Sequence, residues 1–166
     1  MLNHITYPFF KVAEFGMGGS TIWFAEKGIT NLWSVENNPD WCKKITDELY
    51  RLELGETFHI SLSNQDRPDD ILKQEKWALD LDSDYDLIFA DNSSKDHAPT
   101  DLRARCIIGS IHALKPGGWF VVDNINYDYV APALEVFDDW PRWEIHDGIW
   151  HTGFYHNVIP EEAWHT

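Results

Sequence analysis

Short apolar runs alternate with longer amphipathic stretches along this chain, and the two periods sort it into strands and helices. Val12 to Phe15 is a short apolar run that ends in glycines and reads as a buried strand. Ser20 is placed to cap a helix through about Lys27, with Gly28 suited to the position after its end. Asn31 to Glu36 reads as a second strand. Asn38-Pro39-Asp40 starts a helix with a cap, a first-turn proline and an acid at the positive end of the dipole, and the helix runs to about Leu54. Thr57 to Leu62 alternates as a third strand. A polar, acidic stretch follows, with a short helix around Ile71 to Trp77. Asp86 to Ala90 is nearly all apolar, as a strand covered on both faces should be. Thr100 caps a helix reaching about Leu114, Pro116-Gly117-Gly118 is a turn, and Trp119 to Val122 is a fifth strand. A helix over Val130 to Phe137 precedes two closing strands, Arg142 to His146 and Thr152 to His156, joined through Asp147-Gly148.

This alternation predicts a parallel sheet with helices on both faces, finished by an antiparallel strand. No repeat, low-complexity tract or linker divides the 166 residues, so one domain over residues 1–166 is expected. A hydrophobic fraction of 43% and a charged fraction of 25% exclude wholesale disorder. The net charge of −15 argues against a nucleic-acid partner and against an anionic membrane surface. No run approaches the ~18 apolar residues of a membrane span. The N-terminus lacks the basic start and apolar core of a signal peptide, so a cytoplasmic protein is expected. Cys42 and Cys106 have neither metal-type nor redox-type spacing and read as free thiols. Nine tryptophans supply large apolar area, most of it for the core and some for a pocket or an interface.

Two features carry chemistry. The segment Glu14-Phe15-Gly16-Met17-Gly18-Gly19-Ser20 is a glycine loop between a strand and a helix, where backbone can approach a ligand closely and helix N–H groups point at it. Glu36 ends the second strand about 20 residues beyond Gly16, where an acid can accept both hydroxyls of a ribose. Thr21 stands where the third glycine of the dinucleotide fingerprint would be, which argues against a pyrophosphate. Glu14 before the glycines suits a cationic ligand instead.

Four segments in this order resemble the class I S-adenosylmethionine-dependent methyltransferases: 12–20 around the glycine loop, Val35-Glu36-Asn37-Asn38-Pro39, 85–91 ending in Asp91, and Leu114-Lys115-Pro116-Gly117-Gly118. The resemblance covers about residues 11 to 157. It implies a Rossmann-like three-layer α/β sandwich with a seven-stranded, mostly parallel sheet whose last strand is antiparallel. It implies S-adenosylmethionine as cofactor, its methionine part held by the glycine loop (Glu14, Gly16, Gly18, Gly19 and Ser20) and its ribose by Glu36, with Asn37 also a cofactor-binding residue. Asp91 lies beside it, and the adenine falls near Asn64 and Gln65.

Asp91 and Asp123-Asn124 also resemble the pattern of metal-dependent catechol-type and caffeoyl-coenzyme-A-type O-methyltransferases, which carry an acid after the fourth strand and Asp-Asn after the fifth. That likeness implies Mg²⁺ or a similar oxygen-loving cation on Asp91, Asp123 and Asn124, orienting the acceptor. Those enzymes place a lysine three positions after the first acid; here that position is Ser94 and Lys95 is one further. Asp91, Lys95 and His97 are the expected catalytic residues, His97 as a base near the acceptor. His146, His151 and His156 recur every five residues near the closing hairpin and read as solvated or core histidines, with metal-ligand or general-base roles as the alternatives. The short stretch before the first strand leaves the acceptor site open, or covered by a second copy in a homodimer or by the segment from Asn92 to Pro99. The reading is therefore a methyltransferase acting on a small-molecule acceptor, with oxygen favoured. The alternatives are a non-catalytic cofactor-binding protein and an NAD-dependent oxidoreductase.

Overall fold

The computed structural model describes residues 11–29, 31–54, 58–62, 68–92 and 102–158. Seven strands form one sheet: β1 (Lys11–Phe15), β2 (Asn31–Glu36), β3 (Phe58–Leu62), β4 (Tyr85–Ala90), β5 (Leu114–Val122), β6 (Arg142–His146) and β7 (His151–His156). Their order is β3-β2-β1-β4-β5-β7-β6. Strands β1 to β5 pair in parallel, and β7 runs antiparallel to both β5 and β6. This is the Rossmann-like sheet that the alternating pattern predicts. The helices are α1 (Gly19–Glu26), α2 (Pro39–Arg51), α3 (Pro68–Leu79), α4 (Leu102–Ser110) and α5 (Ala131–Leu134).

Alternate residues of the central strands serve opposite layers. Ala13, Phe15, Ile88, Ala90, Phe120 and Val122 pack with Leu102, Cys106 and Ile107 of α4. Val12, Leu87, Phe89 and Val121 pack with Phe24 of α1. Both faces of β4 are thus covered, which is why it reads as an unbroken apolar run. Cys42 and Cys106 are buried and neither forms a disulfide among the described residues, as expected.

Three elements differ from the sequence reading. Helix α3 is longer than expected, from Pro68 to Leu79. Helix α5 is a single turn that tightens into a 3₁₀ turn over Glu135–Phe137. Pro116-Gly117-Gly118 does not separate helix from strand but bulges within β5. Between the pairs Tyr85↔Leu114 and Leu87↔Trp119, β4 advances two residues while β5 advances five. Gly117 sits at φ +79°, and a Cβ on Gly118 would lie 2.9 Å from the Lys115 carbonyl oxygen, so both glycines are needed for the bulge. Thr100, the expected cap, lies outside the described residues.

The chain winds from β1 outward through β2 and β3, then returns to β4 on the other side of β1. Ligands of open α/β sheets bind at such a reversal, beyond the carboxyl ends of the strands. Cross-strand bonds align those ends: Gly16 N donates to Val35 O at 2.8 Å, Asp91 N to Phe15 O at 2.9 Å and Asp123 N to Ala90 O at 3.0 Å.

Candidate functional site

A cavity of about 650 Å³ opens beyond the carboxyl ends of β1, β2, β4 and β5. That volume is in the range of cofactor and small-molecule sites. Gly16, Met17, Gly18 and Gly19 form one wall. Gly16 takes φ +91°, and a Cβ there would sit 2.7 Å from Asn92 N and 2.8 Å from Asn92 Cα, so the loop crosses directly over the end of β4. At Gly18 and Gly19 a Cβ would meet nothing within 4 Å. Their bareness keeps the wall open rather than relieving a clash inside the protein.

Glu36 closes the next side. Its Oε2 accepts from Met17 N at 2.9 Å, and its Oε1 accepts from Asn37 N at 2.8 Å and Asn38 N at 2.7 Å. Burial raises its pKa above the ordinary value, and the three backbone donors pull the other way. The carboxylate therefore fixes the glycine loop onto the end of β2, with about one lone-pair site left for a ligand hydroxyl. Trp41, in the first turn of α2, clamps the same loop by donating its indole N–H to Met17 O at 2.6 Å. Asn38 caps that helix, accepting from Asp40 N and Trp41 N.

Glu14 is not in this wall. Its side chain is fully buried beneath the loop, where it accepts from Ser20 Oγ at 2.5 Å, Thr21 Oγ1 at 2.7 Å and Ser34 Oγ at 2.7 Å. The expected contact of Glu14 with a cationic ligand is corrected accordingly: its carboxyl oxygens are taken by three hydroxyls, that of Ser20 among them, which ties α1 to β1 and β2. Burial pushes the Glu14 carboxyl up to about 7, against the pull of the three hydroxyls. A raised acid favours the fold while protonated; that contribution is complete below its unfolded pKa, near 4.5, and is lost as pH rises through about 7. Urea unfolding should therefore give lower stability at pH 8 than at pH 5. Glu14→Gln should flatten that dependence, and an unchanged slope in the variant would contradict this role for Glu14.

The floor is acidic. Asp91 and Asp123 follow the neighbouring strand ends and both line the cavity. Asp123 Oδ1 accepts from Thr152 Oγ1 at 2.6 Å, and Oδ2 from the Asn124 amide at 2.8 Å. Beneath them lies Arg103 of α4, whose side chain is only 2% exposed. It donates to Asn92 O at 2.9 Å, to the main-chain oxygen of Asp123, and to Asp91 Oδ1 at 3.3 Å. The Asp91 side chain keeps 42% of its surface open, but the cavity walls displace much of its water. Its pKa is pushed up to about 7 by desolvation, lowered in part by Arg103 and raised further by Asp123. Asn124 sits at φ +55°, a turn conformation asparagine tolerates, and its Oδ1 is buried without a hydrogen-bond partner among the described residues. Asp91, Asp123 and Asn124 thus offer oxygen donors of the kind a hard divalent cation takes, although Arg103 already places one positive charge on Asp91 and both Asp123 carboxylate oxygens already accept hydrogen bonds.

Aromatic rings form the rim. Tyr127 and Tyr129 stand with centroids 5.3 Å apart, and Trp41 and Trp150 complete the mouth. The structure therefore brings Gly16, Gly18, Gly19, Glu36, Asn37, Asp91, Asp123 and Asn124 to one cavity. Lys95, His97, Asn64 and Gln65 lie outside the described residues. Arg103, Trp41 and the aromatic rim were not singled out from sequence. Arg103 shares α4 with a second arginine, Arg105, so its charge gave no signal that set it apart from a surface residue.

Solved structures share this fold. A methyltransferase from Geobacter sulfurreducens matches with a TM-score of 0.62 at 11% identity, covering 90% of this chain and 71% of that one. An rRNA methylase from Streptococcus thermophilus matches with a TM-score of 0.60 at 12% identity, covering 90% and 88%. An S-adenosylmethionine-dependent O-methyltransferase from Thermotoga maritima matches with a TM-score of 0.58 at 15% identity, covering 92% and 61%. The fold is that of the class I methyltransferases. At the level of sequence, no family model and no curated protein matches the chain.

Proposed function

We propose that this chain transfers a methyl group from S-adenosylmethionine to an oxygen of a small-molecule acceptor. The observation that carries the reading is the cavity itself. Gly18 and Gly19 leave one wall bare, Glu36 lies beside them, and an acidic floor suits a sulfonium cation. When bound, S-adenosylmethionine supplies an activated methyl group for in-line displacement. The chain's own residues position and desolvate the reactants. The glycine loop, held by Glu36 and Trp41, approaches the cofactor with bare backbone. The Asp91 carboxylate accepts the proton that the acceptor hydroxyl gives up as its oxygen takes the methyl. Arg103 and Asp123 hold that carboxylate in place, one lowering and one raising its pKa. The rim rings Tyr127, Tyr129 and Trp150 offer flat apolar faces to a planar acceptor. Were Asp91, Asp123 and Asn124 to hold a divalent cation instead, the ion would draw in acceptor oxygens and acidify a bound hydroxyl, and Asp91 would be its ligand rather than the base.

A small acceptor is supported by the net charge of −15, which repels a phosphate backbone. The fold neighbours include an rRNA methylase, so the fold itself leaves RNA open as an acceptor. No helix among the described residues is long and apolar enough to cross a membrane.

The test is formation of S-adenosylhomocysteine with phenols, adjacent diols, amines and an rRNA fragment as acceptors. Turnover of a hydroxylated small molecule is expected, rising ~10-fold per pH unit below about 7 and levelling above it, as Asp91 ionises. Asp91→Asn should remove most of the rate together with that rise. Activity that persists in chelator assigns the proton to Asp91 alone, whereas loss and rescue by Mg²⁺ assigns the cation. Methylation of RNA only would overturn the acceptor class, and cofactor binding without turnover of any acceptor would favour a non-catalytic protein.

A further inference from the structure

The closing hairpin carries a cluster that the proposed reaction does not use. Glu144 and His146 are two residues apart on β6 and share one face of the strand. Ile145 between them packs the other way, into the core. His151 on β7 is the cross-strand partner of His146. The pleat and the register thus bring two imidazoles and a carboxylate together on one outer face. The His146 and His151 ring centroids are 3.3 Å apart, and His151 Nε2 lies 2.9 Å from Glu144 Oε2. One ligand atom from each of the three residues lies within 4.8 Å of the others.

The backbone beneath is fixed. Asp147 Oδ1 accepts from Trp150 N at 2.8 Å across the turn, and the His151 main-chain oxygen accepts from Ile125 N at 2.9 Å. Ligand atoms around a tetrahedral zinc stand ~3.3–3.6 Å apart, given bonds of about 2.0–2.2 Å. Glu144 and His146 are exposed, so small rotations of these side chains close the remaining gap. Two imidazoles and a carboxylate suit Zn²⁺ and its borderline neighbours, unlike the all-oxygen set on the cavity floor, which suits Mg²⁺. The strongly acidic chain raises the local concentration of any dication.

We propose that Glu144, His146 and His151 form a three-ligand site for a divalent transition ion of the zinc type, with water completing the shell. The ion would bridge the two strands at the base of the 147–150 turn. Trp150, next to His151, lines the cavity, so the ion would brace one side of its mouth. The site stands independently of the methyltransferase reading.

The experiment is calorimetric titration of the untagged full chain with Zn²⁺, in the absence of any cofactor and with Mg²⁺ present in excess. One stoichiometric step is expected, undisturbed by Mg²⁺. The step should disappear in His146→Ala and in His151→Ala, with folding checked by circular dichroism. It should persist in His59→Gln, which removes a surface histidine elsewhere, and in Asp91→Asn, which alters the cavity floor. A wild-type chain without a step at micromolar zinc would overturn the proposal. So would a step that survives in the His146→Ala/His151→Ala double variant.

Discussion

Replacing Gly18 with valine is expected to give a folded protein that no longer binds S-adenosylmethionine. Gly18 has φ −176°, extended backbone that any residue adopts, and a side chain there would meet no protein atom within 4 Å. Nothing inside the fold resists the change, and the added atoms enter the bare wall of the cavity. Affinity should fall by more than ~100-fold, about 2.7 kcal/mol, with the thermal midpoint of the free protein nearly unchanged. Gly16→Ala should do the opposite. Its Cβ would strike the backbone of Asn92 at 2.7 Å from a residue already at φ +91°, so the variant should lose stability before binding can be assayed. A Gly18→Val protein that binds normally would mean that the cofactor does not lie along this loop.

The second large effect is expected at Arg103. Arg103→Met keeps the buried stem but strips the donors from Asn92 O and the Asp123 carbonyl and the positive charge from Asp91. Removing one partner of a buried ionic network costs about 3–5 kcal/mol. Most of it falls here on the two buried carbonyls, because Asp91 is partly open to solvent. A drop in midpoint of roughly 10 °C should follow. The loss should be larger at pH 8 than at pH 5, because burial keeps Asp91 protonated at the lower pH and Arg103 has a charge to offset there only once Asp91 ionises. Arg103→Lys should not rescue, since one ammonium cannot reproduce a planar fork that reaches three separate oxygens. A change below about 0.5 kcal/mol would show that the network is not structural.

What could be read from sequence is what local period and spacing encode. The strands are apolar runs because helices cover both faces, and the glycine loop, Glu36, Asp91 and Asp123 follow strand ends, where open α/β sheets form their clefts. What stayed hidden depends on groups brought together from distant positions. Glu14 looks like a ligand contact next to the glycines, yet Ser20, Thr21 and Ser34 close over it. Arg103 looks like a surface charge on a helix, yet it points into the junction of β4 and β5. Pro116-Gly117-Gly118 reads as a turn, and only the register with β4 reveals a bulge. The histidines of the closing strands become a cluster only once β6 and β7 pair in register.

Whether this cavity binds S-adenosylmethionine is decided by calorimetric titration of the wild-type chain with S-adenosylhomocysteine, with NAD as the comparison ligand. One binding step with S-adenosylhomocysteine and no heat with NAD are expected. Binding of NAD alone, or of neither ligand, would contradict binding of S-adenosylmethionine here.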